Sequence, residues 1–130
     1  MNVTSFGPTM LSILRIVTGL LFLEHGSSKL LNFPPPPPGM AHALTPLLEV
    51  AGVLELCGGI LILVGLFTRP VAFLLSGEMA VAYFMVHFPN GLFPMLNKGE
   101  IAVLYCFIFL YLFFVGGGPL SLDAALRRRS

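Results

Sequence analysis

Several ionisable side chains lie within one apolar stretch of this chain, and they are the first candidates for chemistry. The stretch reads LRIVTGLLFLEHGSSK, and its ionisable members are Arg15, Glu24, His25 and Lys29. A charged side chain inside a membrane costs about 2.5 to 17 kcal/mol, depending on the method, and it is kept where it pairs or has a function. We therefore search the rest of the chain for partners of these residues.

The composition tells us what must position these side chains. The chain has 130 residues, of which 56% are hydrophobic and 10% charged, with a mean hydropathy of +0.92. Soluble domains carry about 25% charged residues, so this composition is typical of a membrane protein. We predict an all-α, polytopic transmembrane four-helix bundle that forms a single domain over residues 1–130. The predicted spans are about 10–31, 46–67, 71–88 and 100–115.

Prolines and glycines separate the predicted spans. The run Pro34–Pro38 excludes helix and predicts a stiff polyproline II spacer after the first span. Thr45 and Pro46 are typical of an N-cap and a first helical residue. The short turn around Arg69 predicts an antiparallel hairpin of spans two and three, and the GGGP sequence from Gly116 ends the fourth span.

The basic residues predict the orientation in the membrane. Four spans put both termini on one side, together with Arg69 and the triplet Arg127–Arg129, whereas Lys29 and Lys98 lie near the other two loops. The positive-inside rule then predicts that both termini lie in the cytoplasm. We interpret the arginine triplet as a topology anchor, with recognition of lipid head groups as the alternative.

A first cluster of charges is predicted on the inner side. At a rise of 1.5 Å per residue, Arg15, Glu78 and Glu55 lie roughly 8, 12 and 16 Å from the cytoplasmic ends of their spans. A guanidinium is a natural partner for carboxylates on neighbouring helices. We predict a network of these three residues. Either it fixes the helix register, or the second carboxylate stays protonated and handles protons.

A second polar layer is predicted on the outer side, where ends of all four spans meet. Its members are Glu24, His25, Lys29, Glu49, His87, Asn97 and Glu100. This layer could hold a small polar head group such as a quinone, with His and Glu exchanging protons, or it could simply face water. A metal on His25, His87 and one or two carboxylates is a weaker interpretation, because no HxxxH or ExxH spacing is present, and we predict no metal site. A haem held by His25 and His87 is a further alternative.

The cysteines carry no recognisable chemistry. Cys57 and Cys106 both lie inside apolar runs, without a CxxC motif or a histidine at metal-ligand spacing. We interpret them as small buried hydrophobic residues.

Five segments, LRIVTGLLFLEHGSSKL, GVLELCGGILILVGLFTRPVA, HFPNG, NKGEIAVLY and GGGPLSLD, follow one another along the chain. Together they resemble the DoxX family of small four-span bacterial membrane proteins, over nearly the whole length. The resemblance implies a link to oxidative, thiol and quinone stress, often as a companion of other redox proteins, but it assigns no catalytic residues. The resembling positions are Arg15, Glu24, His25, Gly26, Lys29, Glu55, Gly58, Gly59, Arg69, Pro70, His87 and Glu100.

We therefore predict a redox-linked, quinone-interacting accessory protein in a bacterial cytoplasmic (inner) membrane, without assigning an enzymatic activity. Its expected partners are the lipid bilayer, a quinone as the one candidate cofactor, other membrane or redox proteins, and further copies of the same chain. Nucleic acid is not expected. The alternatives are a small proton-coupled transporter or exporter, which would use the same buried carboxylates, and a non-catalytic structural subunit of a membrane complex.

Overall fold

The structure is a computed structural model that describes residues 2–36 and 45–129. The end of the predicted proline spacer, Pro37 and Pro38, lies outside these described residues. Helices within them are α1 Gly7–Leu31, α2 Pro46–Val64, α3 Thr68–Ala82, α4 Pro94–Asn97, α5 Glu100–Val115 and α6 Leu122–Arg129. A 3-10 turn precedes α1, and a π-helical turn, Tyr83–His87, continues α3. Since the described part of the chain contains no strand, the all-α class is confirmed.

The helices have the length and composition of membrane spans. The segments Val3–Leu31, Pro46–Val64 and Thr68–Asn90 are long and apolar enough to cross a membrane, and Glu100–Val115 is a shorter apolar helix. Many of their large apolar side chains are exposed, including Leu20, Leu21, Val53 and Ile60. Exposed apolar side chains on apolar helices are what a lipid environment requires, and the predicted transmembrane class is confirmed.

Local signals in the sequence place the ends of α2. The side-chain oxygen of Thr45 accepts a hydrogen bond from the amide of Leu48 at 3.2 Å, as expected of an N-cap. At the other end, the helix stops at Val64 rather than at the predicted Phe67. Gly65 adopts a left-handed conformation, with φ of 73°, and its amide caps the carbonyls of Leu61 and Ile62. A glycine at this position ends a helix at little conformational cost.

The described chain divides into two compact units. The first unit comprises Met1–Thr68 and Gly117–Ser130, and the second comprises Arg69–Gly116. The first therefore contains α1, α2 and α6, and the second contains most of α3 together with α4 and α5. The prediction of one domain over the whole chain stays a prediction.

Glycines bring α1 and α2 into close contact in the first unit. A Cβ on Gly19 would lie 2.6 Å from the backbone nitrogen of Leu63, and one on Gly26 would collide with the backbone of Leu56. From the other side, a Cβ on Gly59 would lie 2.8 Å from the Cα of Leu23. Small residues that let two backbones approach are a common device of membrane helix pairs. This interface fixes the register of α1 against α2.

In the second unit, apolar stripes on α3 and α5 form the core. Ala72, Leu75 and Met79 are buried on α3 at helical spacing. The buried stripe of α5 consists of Ala102, Tyr105, Phe109 and Leu112. Between the helices, the hydroxyl of Ser76 donates to the carbonyl of Cys106 at 2.8 Å, and the rings of Phe73 and Phe113 lie 5.0 Å apart.

Candidate functional site

An ion pair joins α1 and α2 in the first unit. The ammonium of Lys29 donates to both carboxylate oxygens of Glu55, at 2.6 and 2.7 Å. The side chain of Glu55 is 3% exposed and that of Lys29 is 33% exposed. Two short hydrogen bonds between opposite charges make a strong, directional contact. The ammonium of Lys29 therefore compensates the charge of a carboxylate that is almost fully removed from solvent.

The depth of this pair follows from its position in α2. Glu55 is the central residue of Pro46–Val64, so it lies about 13 Å from either end of the helix at 1.5 Å per residue. Gly26 and Gly52 stand in the same part of the α1–α2 interface, and their lack of side chains leaves the helices close enough for Lys29 to reach. An ionisable pair at such a depth is a candidate functional site by position alone.

Arg15 has a different environment in the same unit. It is 1% exposed. Its Nε donates to the carbonyl of Ile62 at 2.9 Å, Nη1 donates to that of Gly117, and Nη2 donates to those of Leu120 at 2.7 Å and Leu63 at 3.4 Å. Two of these carbonyls, those of Ile62 and Leu63, belong to the last turn of α2, where the amide donor of a following helical turn is missing. The carbonyl of Ile62 also accepts a hydrogen bond from the amide of Gly65. Arg15 thus caps α2 and fastens the segment that follows α5.

Ser12 strengthens the same connection one turn earlier on α1. Its hydroxyl donates to the carbonyl of Gly117 at 3.3 Å and accepts a hydrogen bond from the amide of Leu120 at 3.0 Å. The glycine at 117 leaves room for this arrangement, because a Cβ there would lie 3.3 Å from Nη1 of Arg15. The buried polar groups of Ser12 and Arg15 are therefore satisfied by backbone.

The predicted pairing of Arg15 with Glu55 is wrong. Within the described residues, the hydrogen bonds of Arg15 end on backbone carbonyls, and both oxygens of Glu55 bind Lys29. The physical reason is the glycine register, which sets Arg15 beside the C-terminal turn of α2 and Lys29 beside its centre. Glu78 lies on α3 in the other unit, and its part in a charge network stays a prediction.

A second polar group, which we call the Asn97 cluster, lies in the second unit and comprises Tyr83, His87 and Asn97. The amide nitrogen of Asn97 donates to the hydroxyl oxygen of Tyr83 at 3.2 Å and to the carbonyl of Gly91 at 3.0 Å. Its oxygen accepts from the amide of Gly99 at 2.8 Å, and Asn97 is buried. The side chain of Asn97 thus holds the loop between α3 and α5 against Tyr83.

The contacts of the Asn97 cluster determine where its protons lie. Nδ1 of His87 lies 3.2 Å from the backbone carbonyl of Asn97. A carbonyl only accepts, so Nδ1 carries the hydrogen, and Nε2 is the ring nitrogen that can exchange a proton. Because the Tyr83 oxygen accepts from Asn97, the hydroxyl hydrogen of Tyr83 can be donated elsewhere. The cluster offers one proton-exchanging nitrogen and one hydroxyl donor.

Aromatic rings surround these polar atoms. The ring of Tyr83 lies 6.4 Å from that of His87, 5.3 Å from Phe84 and 6.3 Å from Phe88, measured between centroids. Tyr83 and His87 are the first and last residues of the π-helical turn. Such turns are frequent at functional sites, because they redirect side chains that an α-helix would place elsewhere.

The structure joins some residues of the predicted outer site and not others. His87 and Asn97 belong to one cluster, whereas Lys29 pairs with Glu55, a residue assigned to the inner network. The remaining predicted members, Glu24, His25, Glu49 and Glu100, are exposed side chains on α1, α2 and α5. Sequence reasoning missed Tyr83, although its spacing of one helical turn from His87 was a usable signal.

Asp123 is a second residue that the sequence analysis missed. Its carboxylate accepts hydrogen bonds from the amides of Phe67 and Thr68, both at 2.9 Å, where α3 begins. Burial acts to raise the pKa of Asp123, but the hydrogen bonds from Thr68 and Phe67 and the charge of Arg127 outweigh it, so the pKa lies below its usual value. Nothing in the tail sequence SLDAALRRRS points to these distant partners.

Comparisons with known proteins fit this description. The DoxX family model matches residues 10–88, which include most of α1 and all of α2 and α3. A Haemophilus influenzae protein described as uncharacterized is 47% identical over 126 residues, covering 94% of each chain. No solved structure gives a significant match. The match and the apolar helices together indicate a multi-pass membrane protein that contacts the lipid bilayer.

Proposed function

Because the chain belongs to the DoxX family of membrane proteins, we propose that it is a redox-linked accessory protein that binds the head group of a quinone at the Asn97 cluster. The resemblance described above links such proteins to oxidative, thiol and quinone stress and to redox partners. We extend this link to the present chain, with other membrane or redox proteins and further copies of the chain as its partners.

The donor set of the Asn97 cluster carries the proposal. A quinone head group is a flat ring with carbonyl oxygens that accept hydrogen bonds and take up protons on reduction. The hydroxyl of Tyr83 can donate to one such oxygen, and Nε2 of His87 can form a hydrogen bond to the other. The rings of Phe84 and Phe88 supply apolar surface for the head group beside these polar atoms.

The proposed orientation supports this location of the site. With Arg69 and Arg127–Arg129 in the cytoplasm, α3 leads outwards to His87, and the Asn97 cluster lies at the outer face of a bacterial cytoplasmic membrane. The pairing of Lys29 with Glu55 increases the difference in basic charge between the two sides of the membrane, since the carboxylate of Glu55 compensates the charge of this lysine. A reporter enzyme that is active only outside the cytoplasm is expected to stay inactive when fused to the C-terminus.

The proposal is tested by quinone binding to the protein in nanodiscs. We would titrate a short-chain ubiquinone by calorimetry into wild type, Tyr83→Phe and His87→Ala. Each substitution removes one hydrogen-bonding group, worth about 0.5 to 1.5 kcal/mol, so the Kd is expected to rise about threefold to tenfold in each variant. A reduced-minus-oxidised absorbance spectrum of protein purified with native lipids would show whether a quinone accompanies it.

Tyr111→Phe is the matched control for this titration. Tyr111 is an exposed tyrosine of α5, so the loss of its hydroxyl is expected to leave the Kd unchanged. Thermal unfolding of each variant separates a loss of the fold from a loss of binding. Wild-type affinity in folded Tyr83→Phe and His87→Ala would show that the quinone does not bind at this cluster.

The ion pair of the first unit favours a second candidate function, a small proton-coupled transporter. The carboxylate of Glu55 at the centre of α2 and the ammonium of Lys29 from α1 are a chemically suitable proton-exchange pair. Uptake of a substrate into vesicles should then follow an imposed pH gradient, and Glu55→Gln should abolish it while Glu49→Gln, on the exposed side of the same helix, retains it. Uptake that ignores the gradient would exclude this function.

A further inference from the structure

The C-terminal helix α6 begins beside the turn between α2 and α3. The amide of Asp123 donates to the carbonyl of Gly65 at 2.9 Å, and its carboxylate binds the amides of Phe67 and Thr68. The hydroxyl of Ser121 accepts from the amide of Ala124 at 3.1 Å and so caps the start of the helix. The beginning of α6 is therefore held at the C-terminal end of α2, which is long and apolar enough to span a membrane, and we expect the lipid head groups at this level.

The two sides of α6 differ. Ala124 is buried within the first unit, whereas Leu122 and Leu126, one turn apart on the opposite side, are 45% and 53% exposed. The last turn carries Arg127, Arg128 and Arg129, all exposed. A helix with apolar side chains on one side, basic residues at its end and a fixed start at the membrane boundary has the composition of an interfacial helix.

We propose that α6 docks on an anionic phospholipid surface, with Leu122 and Leu126 at the boundary of the acyl chains and Arg128 and Arg129 on lipid phosphates. Charge complementarity identifies this occupant. The charge of Arg127 acts on Asp123 within the unit, whereas Arg128 and Arg129 are exposed side chains of the last turn. Guanidinium groups bind phosphate oxygens through paired hydrogen bonds, and each basic residue near an anionic membrane surface adds to the attraction. This inference is independent of the proposed quinone site.

Hydrogen exchange of the α6 amides in nanodiscs tests the inference. We would compare discs of phosphatidylcholine with discs that contain phosphatidylglycerol. The amides of residues 124–129 are expected to exchange at least about tenfold more slowly in the anionic discs, because Arg128 and Arg129 are attracted to the anionic lipid surface. The difference is expected to shrink at high salt, since the Debye length falls to about 3 Å at 1 M.

Two double variants complete the experiment. Arg128→Gln with Arg129→Gln removes the two exposed charges at the end of α6, and it should abolish the lipid dependence while the amides of Phe67 and Thr68 stay protected. Arg128→Lys with Arg129→Lys keeps the charges and should retain most of the dependence. Equal exchange in the two kinds of disc, or an unchanged lipid dependence in the Gln variant, would overturn the proposal. Equal protection by inorganic phosphate in phosphatidylcholine discs would also overturn it, in favour of a site for the free ion.

Discussion

Lys29 and Glu55 are bonded at two points, 2.6 and 2.7 Å, across an interface that glycines bring together. The contact ties the C-terminal part of α1 to the centre of α2. It also means that neither charge can be removed alone without leaving the other in an apolar setting, and the first prediction tests this dependence.

Glu55→Gln is expected to destabilise the protein by about 2 kcal/mol. Breaking a buried pair costs about 3 to 5 kcal/mol, and the partial exposure of Lys29 reduces this cost. The double variant Lys29→Met with Glu55→Met should be more stable than the single one, because no charge is left unpaired. Unfolding in mixed detergent micelles measures the difference, with Glu49→Gln as the control. A double variant as unstable as Glu55→Gln would contradict the pairing.

Gly26→Ala is expected to destabilise the α1–α2 pair by about 1 to 3 kcal/mol. The added Cβ meets the backbone of Leu56, which cannot move aside as a flexible side chain could. Gly77→Ala on α3 is the matched control, since a Cβ there meets no atom within 4 Å in the described residues. In that helical position alanine is favoured over glycine by about 0.5 to 1 kcal/mol. Thermal unfolding should therefore move in opposite directions for the two variants.

Arg15→Lys is expected to loosen the segment that follows α5. A lysine has three donors from one atom and cannot reproduce the planar set of hydrogen bonds to the carbonyls of Ile62, Gly117 and Leu120. The loss of even one charged hydrogen bond costs about 1.5 to 3 kcal/mol. Amides of residues 117–121 should exchange faster. The control is Arg128→Lys, which keeps the charge on the exposed tail and should leave the exchange of these amides unchanged. Unchanged exchange in Arg15→Lys would contradict the capping role of Arg15.

Acid is expected to release α6 from the start of α3. The pKa of Asp123 is lower in the folded protein than in the unfolded chain, so its ionised form stabilises the fold. This contribution is complete above the ordinary aspartate pKa of about 3.9 and is lost as the pH falls through the lower folded value. In this acidic range, exchange of the amides of Phe67 and Thr68 should accelerate relative to their intrinsic exchange rate. In Asp123→Asn, exchange of these amides should already be fast near neutral pH. On acidification it should follow only the change in the intrinsic exchange rate.

The sequence predicted the helices well because hydropathy and helix caps are local signals. The fourth helix occupies Glu100–Val115, and α2 begins at Pro46 after the Thr45 cap, as predicted. The early end of α2 at Val64 depends on the left-handed conformation of Gly65. Two more apolar residues, Leu66 and Phe67, follow that glycine, and hydropathy alone does not distinguish them from helix.

The partners of the buried charges were harder to predict, because they depend on contacts between distant segments. Depth estimates placed Lys29 and Glu55 in opposite clusters, yet the glycine contacts set them side by side. The prediction for Arg15 assumed that a buried guanidinium seeks carboxylates. Its actual partners are carbonyl groups, which every residue carries and which no sequence pattern distinguishes.

The hydrogen bonds of Arg15 also impose an order on biosynthesis. Gly117 lies 102 residues after Arg15 in the chain, so at about 5 to 20 residues per second the ribosome needs roughly 5 to 20 seconds to supply that acceptor. During this interval α1 is already synthesised, but the carbonyls of Gly117 and Leu120 that its guanidinium binds do not yet exist. The complete set of Arg15 hydrogen bonds, and with it the final burial of this side chain, can therefore form only after the segment that follows α5 has been synthesised.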